Sequence, residues 1–322
     1  MSKFSFLVNP ISGGGQGKVI QKYVPEIMKS MGFADADWTC ELTDGSRLRE
    51  QIRTTAESTE TLIAVGGDGT MSTVLSVMLE SGLADKIRIG LIPLGTGNDL
   101  ARVLNLYGTF VNKGLLFLVR RLLVAKSRPF DIWKVNEKFV LANYFSSGID
   151  ACIAHDFNLD RATGKISSKS VIANKLHYVF RFFADRNHCL GKAKLRVCDK
   201  DGIWIEKDIS GYRTVIIGNI PSFASGSNPF ENGNMADGLL EVVPVPNLGA
   251  FFGGLAFGTV PLLGRLYKKY FLKSLHAKEV YLDTSADEFH QLDGDDLSRR
   301  VGTEVHIECG CKVQMLTLEE GI

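Results

Sequence analysis

The chain has 322 residues, 45 % apolar and 23 % charged, with 37 Lys and Arg against 36 Asp and Glu for a net charge of +1. That composition belongs to an ordinary folded protein of about two domains, and it excludes disorder and a global field for nucleic acid. The six cysteines, at 40, 152, 189, 198, 309 and 311, lack paired spacing, which excludes cysteine-rich zinc modules and suggests thiols in a reducing cytosol.

Met1-Ser2-Lys3 leads straight into an apolar strand, Lys3–Val8, so no secretory leader is expected. Val19, Ile20, Tyr23, Val24, Ile27 and Met28 then predict a helix over Gly17–Met31. A short strand, Asp37–Leu42, precedes a helix over Asp44–Ala56, with Asp44 or Ser46 as its N-cap. Thr61–Val65 reads as a buried strand, Thr70–Glu80 as a helix, Ile87–Ile92 as a strand, and Asp99 opens a further helix, as its N-cap or as a contact to substrate. Strands alternating with helices imply a parallel sheet covered on both faces, with ligands at the carboxyl ends of its strands. Glycine-rich loops follow Val8, Val65 and Ile92, at those ends.

Beyond Lys126-Ser127-Arg128-Pro129, read as a linker, the pattern becomes β-rich. The expected strands are Phe130–Val135, Phe139–Phe145, Ala193–Val197, Trp204–Ser210, Arg213–Gly218, Leu239–Val245, Lys278–Asp283, Glu304–Ile307 and Lys312–Leu318. A helix over Ile172–Asp185 interrupts them. Adjacent strands with short turns predict an antiparallel sandwich. The expectation is therefore a three-layer α/β domain over 1–128, rejoined by the tail 310–322, and a β-sandwich-like domain with a helical insertion over 129–309.

The first loop, Asn9 to Lys18, holds Gly13-Gly14-Gly15 and Gly17-Lys18. It fits neither a P-loop, because Val19 stands where Ser or Thr would bind Mg²⁺, nor a dinucleotide fingerprint, because Lys18 stands where the last glycine would. A bare backbone at a helix start still suits phosphate. The second loop, Gly66-Gly67-Asp68-Gly69-Thr70, sets a carboxylate where an anion should bind, and a divalent cation resolves that conflict. The third, Pro93 to Arg102, offers Thr96, Gly97 and Asn98.

Together GGDGT at 66–70 and PLGTGNDLAR at 93–102 resemble the diacylglycerol kinase family of lipid kinases. The likeness continues in Asn143–Ala151, in Ala154-His155-Asp156-Phe157, in Asn219–Asn228, in Asp237–Val242 and in Leu292-Asp293-Gly294-Asp295. It implies an ATP-dependent kinase that converts diacylglycerol to phosphatidic acid in a cleft between two domains. Asn9, Gly13, Gly14, Gly15, Lys18, Gly66, Gly67, Asp68, Gly69, Thr70, Thr96, Gly97 and Asn98 would face ATP, and Asp68 would hold the catalytic Mg²⁺. The family's Asp-Gly-Glu motif maps onto Asp293-Gly294-Asp295, with Asp295 in place of Glu as general base, Asp293 assisting, and Asp296 able to share the task. A hairpin turn around Asp293-Gly294 is the plain structural reading. Asp237 matches a ligand of a structural Mg²⁺ in bacterial relatives, and an Asp-Gly turn explains it equally.

A lipid kinase must also meet a bilayer. Asn247–Gly264 lacks charge and precedes Arg265, Lys268, Lys269 and Lys273, so Phe251, Phe252, Lys268 and Lys269 are expected membrane contacts. Gly114–Lys126 is a second candidate, and a buried helix between the domains would show the same pattern. The implied location is cytoplasmic, peripheral to an anionic membrane, with no nucleic acid partner and with a homodimer compatible. A sphingoid or ceramide kinase, or a catalytically weak nucleotide-binding regulator on the same fold, are the alternative readings.

Overall fold

The computed structural model describes residues 2–164, 187–224, 226–230, 233–257, 267 and 272–319. The chain divides into two compact units, Met1–Ile132 with Gly310–Ile322, and Trp133–Cys309.

In the first unit the strands are β1 (Ser2–Val8), β2 (Trp38–Leu42), β3 (Thr59–Gly66) and β4 (Arg88–Pro93), and the helices are α1 (Ser12–Ser30), α2 (Leu48–Ser58), α3 (Asp68–Ser81), α4 (Asp99–Val103) and α5 (Leu106–Leu122). The parallel order is β2-β1-β3-β4, extended by residues 314–315 beside β4. Residues 61–66 of β3 are all buried, as a strand covered on both faces must be. α2 packs with α3 and α1 with α5, which gives the three layers. The chain leaves β1 toward β2 on one side and returns to β3 on the other. The topological switch point therefore lies between β1 and β3, where open α/β sheets bind ligands.

The second unit completes β5 (Lys126–Val135) and adds β6 (Phe139–Leu141), β7 (Tyr144–Gly148), α6 (Ile149–Ala162), β8 (Ala193–Cys198), β9 (Trp204–Asp208), β10 (Thr214–Gly218), β11 (Leu240–Val245), α7 (Leu248–Phe257), β12 (Leu275–Ala277), β13 (Glu279–Thr284), β14 (His290–Leu292), β15 (Asp295–Asp296) and the first part of β16 (Glu304–Thr317). One antiparallel sheet runs β12-β11-β10-β7-β14-β15. A second runs β16-β13-β8-β9. Alternate side chains of the two sheets share one core, built on Trp133, Leu195, Val197, Val215, Ile217, Val280, Leu282 and Val305. The helices α6 and α7 bury Ile149, Ile153, Ala250 and Phe251 against Ile216, Val243 and Val245.

Several local expectations are corrected. α2 begins at Leu48 with Arg47 at its cap, because Asp44 spends its Oδ1 on the N–H and hydroxyl of Ser46 in an Asx turn. α3 begins at Asp68, two residues early, and Asn98 rather than Asp99 caps α4. Lys126 to Pro129 is no linker but the start of β5, an arrangement open to proline where a strand needs no N–H there. Phe139–Phe145 breaks between β6 and β7, whereas the two strands expected over 304–318 are one. The helix expected over Ile172–Asp185 lies outside the described residues.

Trp133 is fully buried and donates its indole N–H to Asn219 Oδ1 at 2.9 Å. Trp133→Phe should lose that bond and leave a void, lowering unfolding free energy by about 2–3 kcal/mol. A urea titration with unchanged m and an unchanged midpoint would contradict this.

Candidate functional site

Three loops leave the carboxyl ends of β1, β3 and β4, which are neighbours in the sheet. Backbone bonds prolong the ladder into them: Asn9 N–H donates to Val65 O at 2.9 Å, and Leu94 N–H to Gly66 O at 2.7 Å. In the first loop Gly13, Gly14 and Gly15 have φ of 61°, 66° and 99°. Three consecutive left-handed residues interrupt the helix and leave their backbone bare, which no run of side-chain-bearing residues sustains. Lys18 follows three residues after Gly15 and is exposed. Asn9 links this loop to the second, donating from Nδ2 to Thr70 Oγ1 at 3.0 Å, while its Oδ1 accepts from Ile11 N–H at 3.2 Å.

The second and third loops are in backbone contact. A Cβ on Gly67 would lie 2.9 Å from Gly95 Cα, so neither position admits a side chain without separating the loops. Asn98 pins the third loop, accepting from Gly95 N–H at 2.8 Å and donating to Gly95 O at 2.7 Å. Arg102 reaches back to Gly97 O at 3.1 Å and lies over the Tyr107 ring. Thr96 is exposed at the loop tip.

Asp68 stands at the centre, on the first turn of α3. Its Oδ2 accepts Asn98 N–H at 2.7 Å, and its Oδ1 is buried with no hydrogen-bond partner among the described residues. Burial, joined by the charge of Asp99, pushes its carboxyl up to about 6, against the opposing N–H bonds of Asn98 and Leu100. A buried carboxylate oxygen without a donor is an acceptor for a cation. The residues present therefore fit Mg²⁺ at Asp68.

In the second unit, Asp293 and Gly294 join β14 to β15 in a two-residue hairpin, with φ of 52° and 92°. Left-handed values at both central positions are those of a type I′ turn. The Asp293 carboxylate accepts three backbone N–H groups, from Ala142 at 3.2 Å, Asn143 at 2.8 Å and Tyr144 at 3.0 Å. These bonds give Asp293 a structural role in holding the β6–β7 bend, beside the assisting role the sequence suggests. Asp295 is exposed on the hairpin. Asp296 Oδ2 meets His155 Nδ1 at 2.6 Å, and its Oδ1 accepts the hydroxyl of Ser298 at 2.6 Å and its N–H at 3.0 Å. Burial raises the Asp296 carboxyl, but Ser298 and His155 outweigh it and hold the group below its ordinary value. Both its oxygens are engaged, which leaves Asp295 the more accessible carboxylate.

Sequence reasoning missed the helix α6 and with it the His155–Asp296 contact. The signal was present: Ile149, Ile153 and Phe157 recur at four-residue spacing. Behind the hairpin, buried Asp150 on α6 accepts hydrogen bonds from Ser146 and Thr214. Ser146 accepts from Gln291 Nε2 at 2.7 Å, and Gln291 Oε1 accepts Gly294 N–H at 2.8 Å.

Other expected positions lie elsewhere. Asp237 Oδ1 accepts Leu239 N–H at 3.0 Å in a turn, and among the described residues no three His, Cys, Asp or Glu gather as metal ligands. Phe251 is only 5 % exposed, packed in the helix–sheet core, which leaves it no surface for a bilayer. The Phe252 side chain, Lys268 and Lys269 lie outside the described residues. Among the described residues no helix is long and apolar enough to cross a membrane.

A family model described as the diacylglycerol kinase catalytic domain matches residues 3–135, and one for the diacylglycerol kinase accessory domain matches residues 140–259. Diacylglycerol kinase iota of Mus musculus is 26 % identical over 277 residues, covering 76 % of this chain and 26 % of that protein. The eye-specific diacylglycerol kinase of Drosophila melanogaster is 29 % identical over 272 residues, covering 73 % and 18 %. The chain thus spans about a quarter or less of the length of these relatives. A crystal structure of a putative diacylglycerol kinase from Bacillus anthracis str. Sterne superposes with a TM-score of 0.71 at 18 % identity, covering 100 % of this chain and 97 % of that one. A second from the same source gives 0.66 at 16 %, covering 100 % and 98 %. At these identities the likeness is one of fold.

Folding raises the Asp68 pKa from 3.8 to about 6. The fold thus favours the protonated carboxyl, a contribution complete below about pH 4 and lost as pH rises through about 6. Asp68→Asn should therefore melt above the parent at about pH 7 and lose that advantage near pH 4. Thermal melts at the two values check this, and a pH-independent difference would overturn it. Asp293→Ala, which strips three N–H groups of their acceptor, should cost about 2–4 kcal/mol in the same measurements.

Proposed function

This chain belongs to the diacylglycerol kinase family, whose catalytic and accessory models together match most of it, and we propose that it transfers the γ-phosphoryl group of ATP to the hydroxyl of a diacylglycerol, giving phosphatidic acid. One observation carries the proposal: three glycine loops converge at the switch point of a parallel sheet around a carboxylate with one unpartnered oxygen.

Phosphoryl transfer demands positioning and charge neutralisation more than covalent chemistry. The bare backbone of Gly13 to Gly15, with Lys18 beside it, receives the phosphates of ATP. Asn9, Thr70 and Asn98 keep the loops in register by their hydrogen bonds to one another and to the backbone. Asp68 and its unpartnered Oδ1 would hold Mg²⁺, which when bound supplies positive charge to the phosphate oxygens. Asp295, exposed on its hairpin, takes the proton of the attacking hydroxyl. Its role rests on the likeness of Asp293-Gly294-Asp295 to the family's Asp-Gly-Glu motif. With one methylene fewer than Glu, its carboxylate sits about one bond length further back, a misplacement that can cost about a hundredfold in rate. The acceptor lipid places the protein at a membrane surface.

Radiolabelled phosphate transfer from ATP to a panel of diacylglycerol, sphingosine and ceramide tests the reading. Label should appear in phosphatidic acid, and label confined to a sphingoid product would replace the substrate assignment. Asp295→Asn should abolish transfer while ATP binding persists by calorimetry, and Asp295→Glu should retain or raise it. Near-parental turnover by Asp295→Asn would remove Asp295 from the mechanism.

A further inference from the structure

We infer that the outward face of α5 is a docking surface for an anionic lipid bilayer. The inference rests on the lipid-kinase reading only in that such a substrate requires a membrane; the surface itself is argued from its residues. α5 turns sharply at Gly114, where φ is 80° and ψ is 177°. After that bend it buries Leu118, Val119 and Leu122, its inward face. Beyond that bend Leu116, Phe117 and Arg120 lie three and four residues apart on the side of the helix away from those buried residues, with Lys113 just before the bend and Val124 just past the helix end. Leu116 is 45 % exposed and Val124 73 %, and the Lys113 ammonium lies 4.6 Å from the Phe117 ring centre.

The charge is one-sided. From Lys113 to Arg128 there are five cations, Lys113, Arg120, Arg121, Lys126 and Arg128, and no Asp or Glu. Lys126 meets Glu319 at 3.5 Å, but its side chain is otherwise exposed. Among the described residues no carboxylate pairs with Arg120, Arg121 or Arg128.

Cations in a last turn favour a helix C-terminus, and this accounts for Arg120 and Arg121 taken singly. It does not account for Lys126 and Arg128 beyond the helix, nor for exposed Leu116 and Val124 between the charges. Cations alone would suit any polyanion. Apolar side chains set among them suit a bilayer, where the apolar groups enter the acyl boundary and the cations meet anionic headgroups. Phe251, the sequence's first choice for that contact, is in the core, whereas this stripe faces solvent.

The full chain is sedimented with vesicles of phosphatidylcholine alone and of phosphatidylcholine with phosphatidylserine, at low and high salt, and is passed over heparin. The parent should pellet only with the anionic vesicles, and less in high salt. Arg120→Glu with Arg121→Glu should weaken pelleting by at least about tenfold. Leu116→Ser with Val124→Ser should weaken it several-fold with heparin retention unchanged. Should the charge reversal disturb folding by circular dichroism, Arg120→Gln with Arg121→Gln replaces it, with the same direction expected. A parent that ignores anionic vesicles, a folded charge variant that pellets like the parent, or an apolar variant without effect while heparin retention follows charge alone, overturns the proposal. Transfer to dispersed dioctanoylglycerol separates the two readings. Loss of pelleting in the variants with that transfer retained supports docking and the kinase together. A parent that pellets as expected but phosphorylates no lipid upholds the surface and removes the kinase assignment.

Discussion

The hydrogen bond from Asn98 N–H to Asp68 Oδ2 joins two loops that are thirty residues apart in the chain. It does so where Gly67 and Gly95 touch backbone to backbone. The bond fixes which carboxylate oxygen is occupied and leaves the other, buried Oδ1, without a donor. Desolvation then raises the carboxyl's pKa, so Asp68 is costly to ionise. The asymmetry between its two oxygens is what turns a glycine turn into a candidate metal position. It depends on β3 and β4 being parallel neighbours, since only then do their trailing loops share an edge.

The second unit fixes its hairpin by a comparable expenditure of buried polar groups. Asp150 is fully buried and its carboxyl is pushed up by desolvation, against the hydroxyls of Ser146 and Thr214. From it a chain of side chains runs through Ser146 and Gln291 to the N–H of Gly294. Asp293 holds the hairpin from the other direction, through three N–H groups of the β6–β7 bend. Neighbouring carboxylates therefore divide the labour. Asp293 and Asp296 both hold internal hydrogen bonds, and Asp295 between them is exposed. Such satisfied networks hold a unique geometry where apolar packing alone would permit sliding.

The lipid-facing reading passes from one segment to another for a reason of burial. Residues 247–257 are apolar and glycine-rich in a way that composition cannot distinguish from a core helix, and Phe251 proves to be core. The stripe on α5 looks less apolar in sequence because cations interrupt it. Past the Gly114 bend, Leu116, Phe117 and Arg120 nevertheless share the side of the helix opposite its buried residues.

Much of the first unit was legible in the chain because its signals are local. Apolar runs such as Leu62 to Val65, closed by glycines and followed by a helical stripe, specify strand, loop and helix whatever their neighbours do. The motifs at 66–70 and 93–102 likewise carried the family likeness in consecutive residues. The boundaries did not follow from the same signals. Asp44 turned away from capping α2 because a nearer Asx turn satisfied it, and α6 was hidden behind a helical spacing read as a motif. By itself, then, the sequence determined the alternating elements, the three bare loops and the acidic hairpin. The tertiary structure alone decided that Asn98 restrains Asp68, that Asp293 spends its carboxylate on residues 142–144, and that Phe251 is core while Leu116 is surface. Propensity and periodicity act over a few residues, but those pairings depend on strand order and on which face another element covers, and neither is written in any single stretch of chain.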